Sequence, residues 1–195
     1  MPMAAPLILA STSRYRRELM ERLRLPFEVV APGVDEAHVS GEAPTTRAQR
    51  LALAKAAAAA DARPDAVVIG SDQVALCGSQ VLDKPGDAAG CRAQLALLSG
   101  RRATFHTAVA VLCHAHRFSD CFVDVTELQF RPLTSAEIER YIDIDQPFHC
   151  AGSFRSESLG VSLFARMDSS DPTGLIGLPL IRLSESLRAA GFRLP

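Results

Sequence analysis

Leu7-Ile8-Leu9-Ala10-Ser11-Thr12-Ser13-Arg14-Tyr15-Arg16-Arg17 is the stretch on which the rest of the chain turns. A short apolar run closes on three hydroxyl side chains, and arginines crowd the positions that follow. The pattern predicts a buried strand, a tight polar turn and a helix with a basic first turn. A helix N-terminus carries partial positive charge, so Arg14, Arg16 and Arg17 oppose the local field. An anion seated there removes the conflict. Backbone N–H groups, the hydroxyls of Ser11, Thr12 and Ser13, and guanidinium forks together make a phosphate cradle. The plainer alternative is Ser13 as the N-cap of a solvated basic helix. The local pattern leaves both open.

At 195 residues the chain is one large domain or two small lobes. Hydrophobic residues make up 48% of it, enough to fill a core and too many for disorder. The net charge of -1 argues against a nucleic-acid coat and, with local basic clusters, for a small anionic ligand. The 5 cysteines are irregularly spaced with no CxxC pair, as expected of free thiols in a reducing cytosol. Met1 to Ala10 lacks a charged leader region, and no apolar run approaches the roughly 20 residues that span a bilayer. These features predict a cytoplasmic protein with no membrane partner.

The first helix is expected over Arg16 to Leu25, stopped by Pro26. A strand follows at Phe27 to Ala31, then a turn at Pro32-Gly33 into the acidic pair Asp35-Glu36. Thr45 to Ala62 reads as an Ala-rich helix whose composition alone explains it. Ala66 to Ile69 has no polar break and predicts a strand buried on both faces, ending in Gly70-Ser71-Asp72-Gln73. Val74 to Leu82 reads as a hairpin turning at Gly78-Ser79. Asp87 caps a helix to Leu98, with Gly100 past its end. Two strands, Ala103 to Leu112 and Phe118 to Phe130, flank His114-Ala115-His116. Thr134 to Glu137 matches a capping box for a helix to about Ile142. Ser158 to Ala165 reads as a strand, and Pro179 to Ala190 as the closing helix. The sum is a mixed-sheet α/β or α+β domain.

An acid at the carboxyl end of a buried strand sits where open α/β sheets bind ligands. Asp72 there can hold a divalent metal or take a proton from water, or simply turn back on its own backbone. Lys55 is a lone cation in an apolar helical window, a site group or a solvated helix edge. Lys84 is a site cation or a loop ion. Asp35-Glu36 is a second acidic pair for a metal or a solvated turn. His114 and His116 fall at a hairpin tip, and zinc-ligand spacing is absent. Walker A, GxGxxG, GxSxG and HExxH patterns are absent too.

Taken together, Leu7 to Ser13 with Arg16, Arg17 and Leu19 resembles the opening signature of the Maf-like nucleotide pyrophosphatases. Val34-Asp35-Glu36, Lys55, Ile69 to Val74, Lys84-Pro85, Cys150 to Phe154 and Gly174 to Leu180 follow in family order. The resemblance spans about Leu7 to Leu187. It implies one Maf-like domain over 1–195, an α/β fold with a mixed twisted sheet and flanking helices in two lobes around a cleft, related to the inosine-triphosphatase-like fold. It further implies hydrolysis of a nucleoside triphosphate to monophosphate and pyrophosphate, a divalent cation (Mg2+ or Mn2+), and a homodimer.

Within that family the chain resembles the branch that prefers 7-methyl-GTP, through Tyr15, Gln73 and Glu157. The common residue at the first position is Trp, so Tyr15 departs from it with a smaller aromatic face. Methylation at N7 makes guanine cationic, and a cation over an aromatic ring gains roughly 0.5–2 kcal/mol. Glu157 can accept from N1–H and N2–H of the base, which pyrimidines lack as a pair. The resemblance assigns Ser11, Thr12, Ser13, Arg16 and Arg17 to the phosphates. It assigns Lys55 and Lys84 to charge on the leaving group, Glu36 and Asp72 to the metal, and Asp72 to proton acceptance. A dTTP/UTP pyrophosphatase and a nucleotide-binding regulator of cell division without turnover are the alternatives.

Overall fold

A computed structural model describes residues 5–195, so the first positions of the leader reading, Met1 to Ala4, lie outside the described residues. Strand β1 (Leu7–Ala10) leads into α1 (Arg14–Arg22), then β2 (Glu28–Val30) and α2 (Pro44–Ala62). The long β3 (Val67–Cys77) turns into β4 (Gln80–Val81), followed by α3 (Ala88–Leu98), β5 (Arg102–Cys113) and β6 (Phe118–Phe130). The chain ends with α4 (Ser135–Asp145), short 3-10 turns at Ala151–Ser153 and Leu159–Leu163, β7 (Phe164–Asp168) and α5 (Leu180–Ala189). Sheet order is β2-β1-β3-β5-β6-β7, with β4 paired to β3. Pairs β1–β2 and β1–β3 are parallel, while β3–β4 and β6–β7 are antiparallel. The mixed sheet with flanking helices is the architecture the pattern predicts.

Contacts divide the described chain into two compact units, and β3, β5 and β6 each run through both. The first comprises residues 5–73, 107–124 and 171–195. Its core joins Leu7 and Leu9 of β1, Leu19 and Met20 of α1, Val67 and Ile69 of β3, and Leu183 and Leu187 of α5. Each such side chain contributes roughly 1.5–3 kcal/mol when fully buried. The second unit comprises residues 74–106 and 125–170. Its core is aromatic: Phe154 stands edge-on to Phe105, Phe130 and Phe164 at centroid distances of 5.4, 5.6 and 5.0 Å.

Three expectations need correction. Helix α1 ends at Arg22, short of Pro26, with Leu23 as its C-cap and Arg24 left-handed at φ 57°. Strand β3 does not stop at Ile69; Gly70-Ser71-Asp72-Gln73 lies inside it. Ser158 to Leu163 is not strand, although Leu159, Val161 and Leu163 alternate as a strand would. The backbone coils tightly there: a Cβ on Gly160 would meet the Arg155 carbonyl oxygen at 2.4 Å. The Ser162 hydroxyl donates to the Leu159 carbonyl at 2.8 Å, closing the turn locally. The strand begins only at Phe164.

The capping box of α4 is complete, with Glu137 Oε2 accepting from Thr134 N at 2.7 Å and Arg131 donating to Oε1 at 2.7 Å. The Thr134 backbone N–H, then its hydroxyl and Arg131, hold the Glu137 carboxyl down at about 2, against an ordinary 4.5. A depressed carboxyl stabilises the fold above its unfolded value and loses that contribution as pH falls towards its folded one. Glu137→Ala therefore lowers Tm at pH 6, and the gap to wild type closes between pH 4.5 and 2 in calorimetric scans.

Candidate active site

The site is built in the first unit, where α2 lies against β3. Gly70 makes the approach possible. A Cβ at this position would stand 2.3 Å from the Ala52 carbonyl oxygen and 2.5 Å from the Ala56 nitrogen. Helix α2 presents Ala48, Ala52, Ala56, Ala59 and Ala60 as buried residues, so backbone meets backbone. Lys55 shares that buried stripe, at one helical turn from Leu51. Asp72 lies two residues beyond Gly70 and faces the same way, as strand periodicity demands.

Lys55 is not a solvated helix edge. Its Nζ lies 2.7 Å from Asp72 Oδ1 and 2.7 Å from Glu36 Oε1. Its side chain keeps 7% of full exposure and that of Asp72 11%, while Glu36 keeps 56%. Arg16 joins this group electrostatically. Burial lowers its guanidinium from the ordinary value, and the Asp72 and Glu36 carboxylates act to hold the charge. Its Nε donates to the Gly177 carbonyl at 3.1 Å.

The other face of β3 carries Ser71 and Gln73. Ser71 Oγ donates to the same Gly177 oxygen at 2.9 Å. Gln73 Nε2 donates to Thr107 Oγ1 at 2.8 Å and the Leu175 carbonyl at 3.0 Å, with the Gly174 carbonyl at 3.2 Å. Polar residues can lie inside a buried strand here because each finds a partner. The amide nitrogen of Gln73 is thus spent on the protein. Sequence reasoning missed the carbonyls of Gly174, Leu175 and Gly177. Their segment, Gly174 to Leu180, stands in the family order without a role, because backbone acceptors leave no mark in side-chain identity.

The remaining predicted residues divide. Ser13 caps α1, its hydroxyl accepting from Arg16 N at 3.4 Å, and Ser11 Oγ accepts from Ser13 N at 3.2 Å. Thr12 is exposed. Arg17 pairs with Glu21 at 3.2 Å on the surface. The Arg14 guanidinium lies 4.7 Å from the Tyr15 ring centroid, and its NH2 donates to the Tyr15 hydroxyl at 3.1 Å. Lys84 and Glu157 belong to the second unit; Lys84 is exposed, and Glu157 faces Arg155 Nε at 3.4 Å.

His114 and His116 are exposed turn residues, and His114 Nε2 stands 3.0 Å from Asp61 Oδ1. Among the described residues no group of three or more His, Cys, Asp or Glu is placed to hold a metal. Glu36 and Asp72 fit a hard divalent cation in kind, since Mg2+ takes one or two carboxylates and completes its shell with phosphate and water. In this geometry the near oxygen of each faces Lys55. All the cysteines are free thiols, with Cys77, Cys91 and Cys113 buried.

The family described as Maf-like protein matches residues 6–190. The chain belongs to the Maf-like family. A 7-methyl-GTP pyrophosphatase of Xanthomonas oryzae pv. oryzae is 54% identical over 97% of this chain and 98% of its own length. Proteins of the same name from Polaromonas sp. and Thiobacillus denitrificans are 50% and 53% identical, over 99% and 95% of this chain and 88% and 92% of theirs. The solved Staphylococcus aureus Ham1 protein aligns with 64% of this chain and 71% of its own at TM-score 0.46 and 18% identity. In this Maf-like protein no described helix is long and apolar enough to cross a membrane.

Gly70→Ala tests the close approach on which the Lys55–Asp72 pair depends. Overpacking of this kind costs typically about 1–3 kcal/mol. The substitution should lower the unfolding free energy obtained from urea titration by that amount and weaken any activity, since it pushes α2 off β3.

Proposed function

We propose that this chain is a nucleoside triphosphate pyrophosphatase that hydrolyses 7-methyl-GTP to 7-methyl-GMP and diphosphate. The observation that carries the reaction class is Lys55 Nζ held at 2.7 Å from both Asp72 and Glu36, with Arg16 acting on the same carboxylates. Cations to neutralise phosphate and a carboxylate to take a proton stand side by side. The substrate is supported by the name that the relatives carry at about half identity across nearly the full chain.

A water oxygen bonds to the α-phosphorus as the bond to the bridging oxygen of the β-phosphoryl group breaks. Asp72 receives the water proton, and the electron pair departs on diphosphate. Lys55 and Arg16 offset the charge that builds on the phosphate oxygens. When bound, a divalent cation held by Glu36 and Asp72 supplies further neutralisation of phosphate charge. Ser11, Thr12, Ser13 and Arg17 offer donors and charge around the N-terminus of α1. Tyr15 offers a ring face to the cationic base, on the side that Arg14 does not cover. Gln73 acts on the base only through the segment it anchors. Lys84 and Glu157 keep their proposed parts in leaving-group neutralisation and base recognition.

Pyrophosphate release across canonical and methylated nucleoside triphosphates, with and without Mg2+, tests the reading. The highest kcat/KM is expected for 7-methyl-GTP. A preference for UTP or dTTP would replace the substrate, and no release from any nucleotide would leave a binding protein. Asp72→Asn should lower kcat by about 100-fold or more and still fold cooperatively at a reduced Tm, because Lys55 loses one charged partner; near-normal turnover removes Asp72 as proton acceptor. Tyr15→Ala should cost 7-methyl-GTP more than GTP, and equal losses would rule out the ring as a cation sensor. Lys84→Ala and Glu157→Gln, assayed alike, should each lower kcat/KM.

A further inference from the structure

The carboxylate of Glu36 comes from a stretch with little to hold it. Residues 31–43 carry neither helix nor strand and are mostly exposed. Gly33 and Gly41 are left-handed, at φ 60° and 75°, and a Cβ on either would meet nothing within 4 Å. Packing therefore does not fix the path of this loop, and ordering it costs backbone entropy. Yet Glu36 Oε1 reaches the buried Lys55 ammonium at 2.7 Å. Polar contacts must supply what packing does not.

Three of those contacts come from one residue of α2, Arg50. Arg50 Nε meets Glu42 Oε1 at 2.7 Å, and its NH2 meets Oε2 at 2.8 Å, a fork on a carboxylate whose side chain keeps only 7% exposure. The same NH2 donates to the Ala37 carbonyl at 3.3 Å, next in sequence to Glu36. On the other side of Glu36, Asp35 Oδ1 accepts from Ala37 N at 2.9 Å and fixes the local turn. One turn earlier on α2, Arg47 NH1 contacts His38 Nε2. The fork lowers the Glu42 carboxyl and raises the Arg50 guanidinium, so both stay charged.

We infer that Arg50 is a positioning residue for the proposed reaction: its fork on Glu42 and its bond to Ala37 hold the 31–43 loop so that Glu36 stands over Lys55. The inference deepens the proposed function and rests on it for the kinetic readout alone. Without Arg50, Glu42 is left as a nearly buried carboxylate without its fork, and the loop escapes that state by lifting off α2. Glu36 leaves with it. Lysine at position 50 keeps the charge but loses the planar fork, so it restores the contact only in part.

Two measurements test this. Hydrogen exchange at the Ala37 and Glu42 amides should rise by about tenfold or more in Arg50→Ala, and less in Arg50→Lys, at matched circular dichroism and Tm. Unchanged exchange overturns the clamp. A double-mutant cycle then separates positioning from a general structural loss. Arg50→Ala alone should lower kcat for 7-methyl-GTP by about 10–100-fold. On a Glu36→Gln background it should have no further effect, within about twofold. Losses that multiply overturn the idea that Arg50 acts through Glu36. If wild type hydrolyses none of the nucleotides, the proposed function fails, and hydrogen exchange alone decides the clamp.

Discussion

The structure of the site depends on a buried ammonium. Lys55 sits almost wholly out of solvent on a face of α2 otherwise made of alanines and Leu51. A lone charge in that setting is expensive, and its burial is tolerable only with partners in hydrogen-bond contact. Asp72 and Glu36 supply them, one from a strand and one from a loop. The strand partner is in reach only because Gly70 and the alanines let backbone touch backbone. Core packing and site electrostatics are therefore a single constraint. Widening the gap between α2 and β3 would weaken both together.

The arginines that open the chain find a different resolution. At a helix start they oppose the dipole, and an anion is the obvious remedy. The structure gives each a protein partner instead: Arg14 the Tyr15 ring, Arg16 the Gly177 carbonyl, Arg17 the Glu21 carboxylate. Ser13 meanwhile does the ordinary work of an N-cap. Arg16 is drawn into the field of Asp72 and Glu36. The capping reading and the phosphate reading are compatible: the cap organises the turn, and Arg16 turns inward from it.

What could be read from the sequence was local. Ser13, Asp87 and Thr134 as caps and Gly78 at a hairpin turn carry their signal within a few residues, and those caps and that turn formed where expected, whereas apolar run length set the end of β3 too early. Lys55, Asp72 and Glu36 were legible as candidates, each with a plain alternative beside it. What could not be read was partnership over distance. Ser71 and Gln73 look like loop residues because polar side chains usually end a buried strand; their acceptors are Thr107 and carbonyls beyond residue 170. Alternation misled at Ser158 to Leu163, where Gly160 permits a coil that apolar periodicity conceals. Arg50 gave no signal, since a basic residue near the start of a helix is ordinary until Glu42 and Ala37 are seen beneath it.

The unbroken course of β3 through Asp72 has a consequence for how such a protein can diversify. The carboxylate is carried by a strand paired with β1 just upstream and followed by β5 in the sheet order. Its coordinates are inherited from the scaffold and are insensitive to surface drift. Tyr15 and Glu157 stand outside that frame, on a helix start and an irregular segment. Under the proposed function, substitutions at those two positions change the base that is read while Asp72 keeps its register. On that proposal, a lineage with this layout can change what it reads without relearning how it cuts.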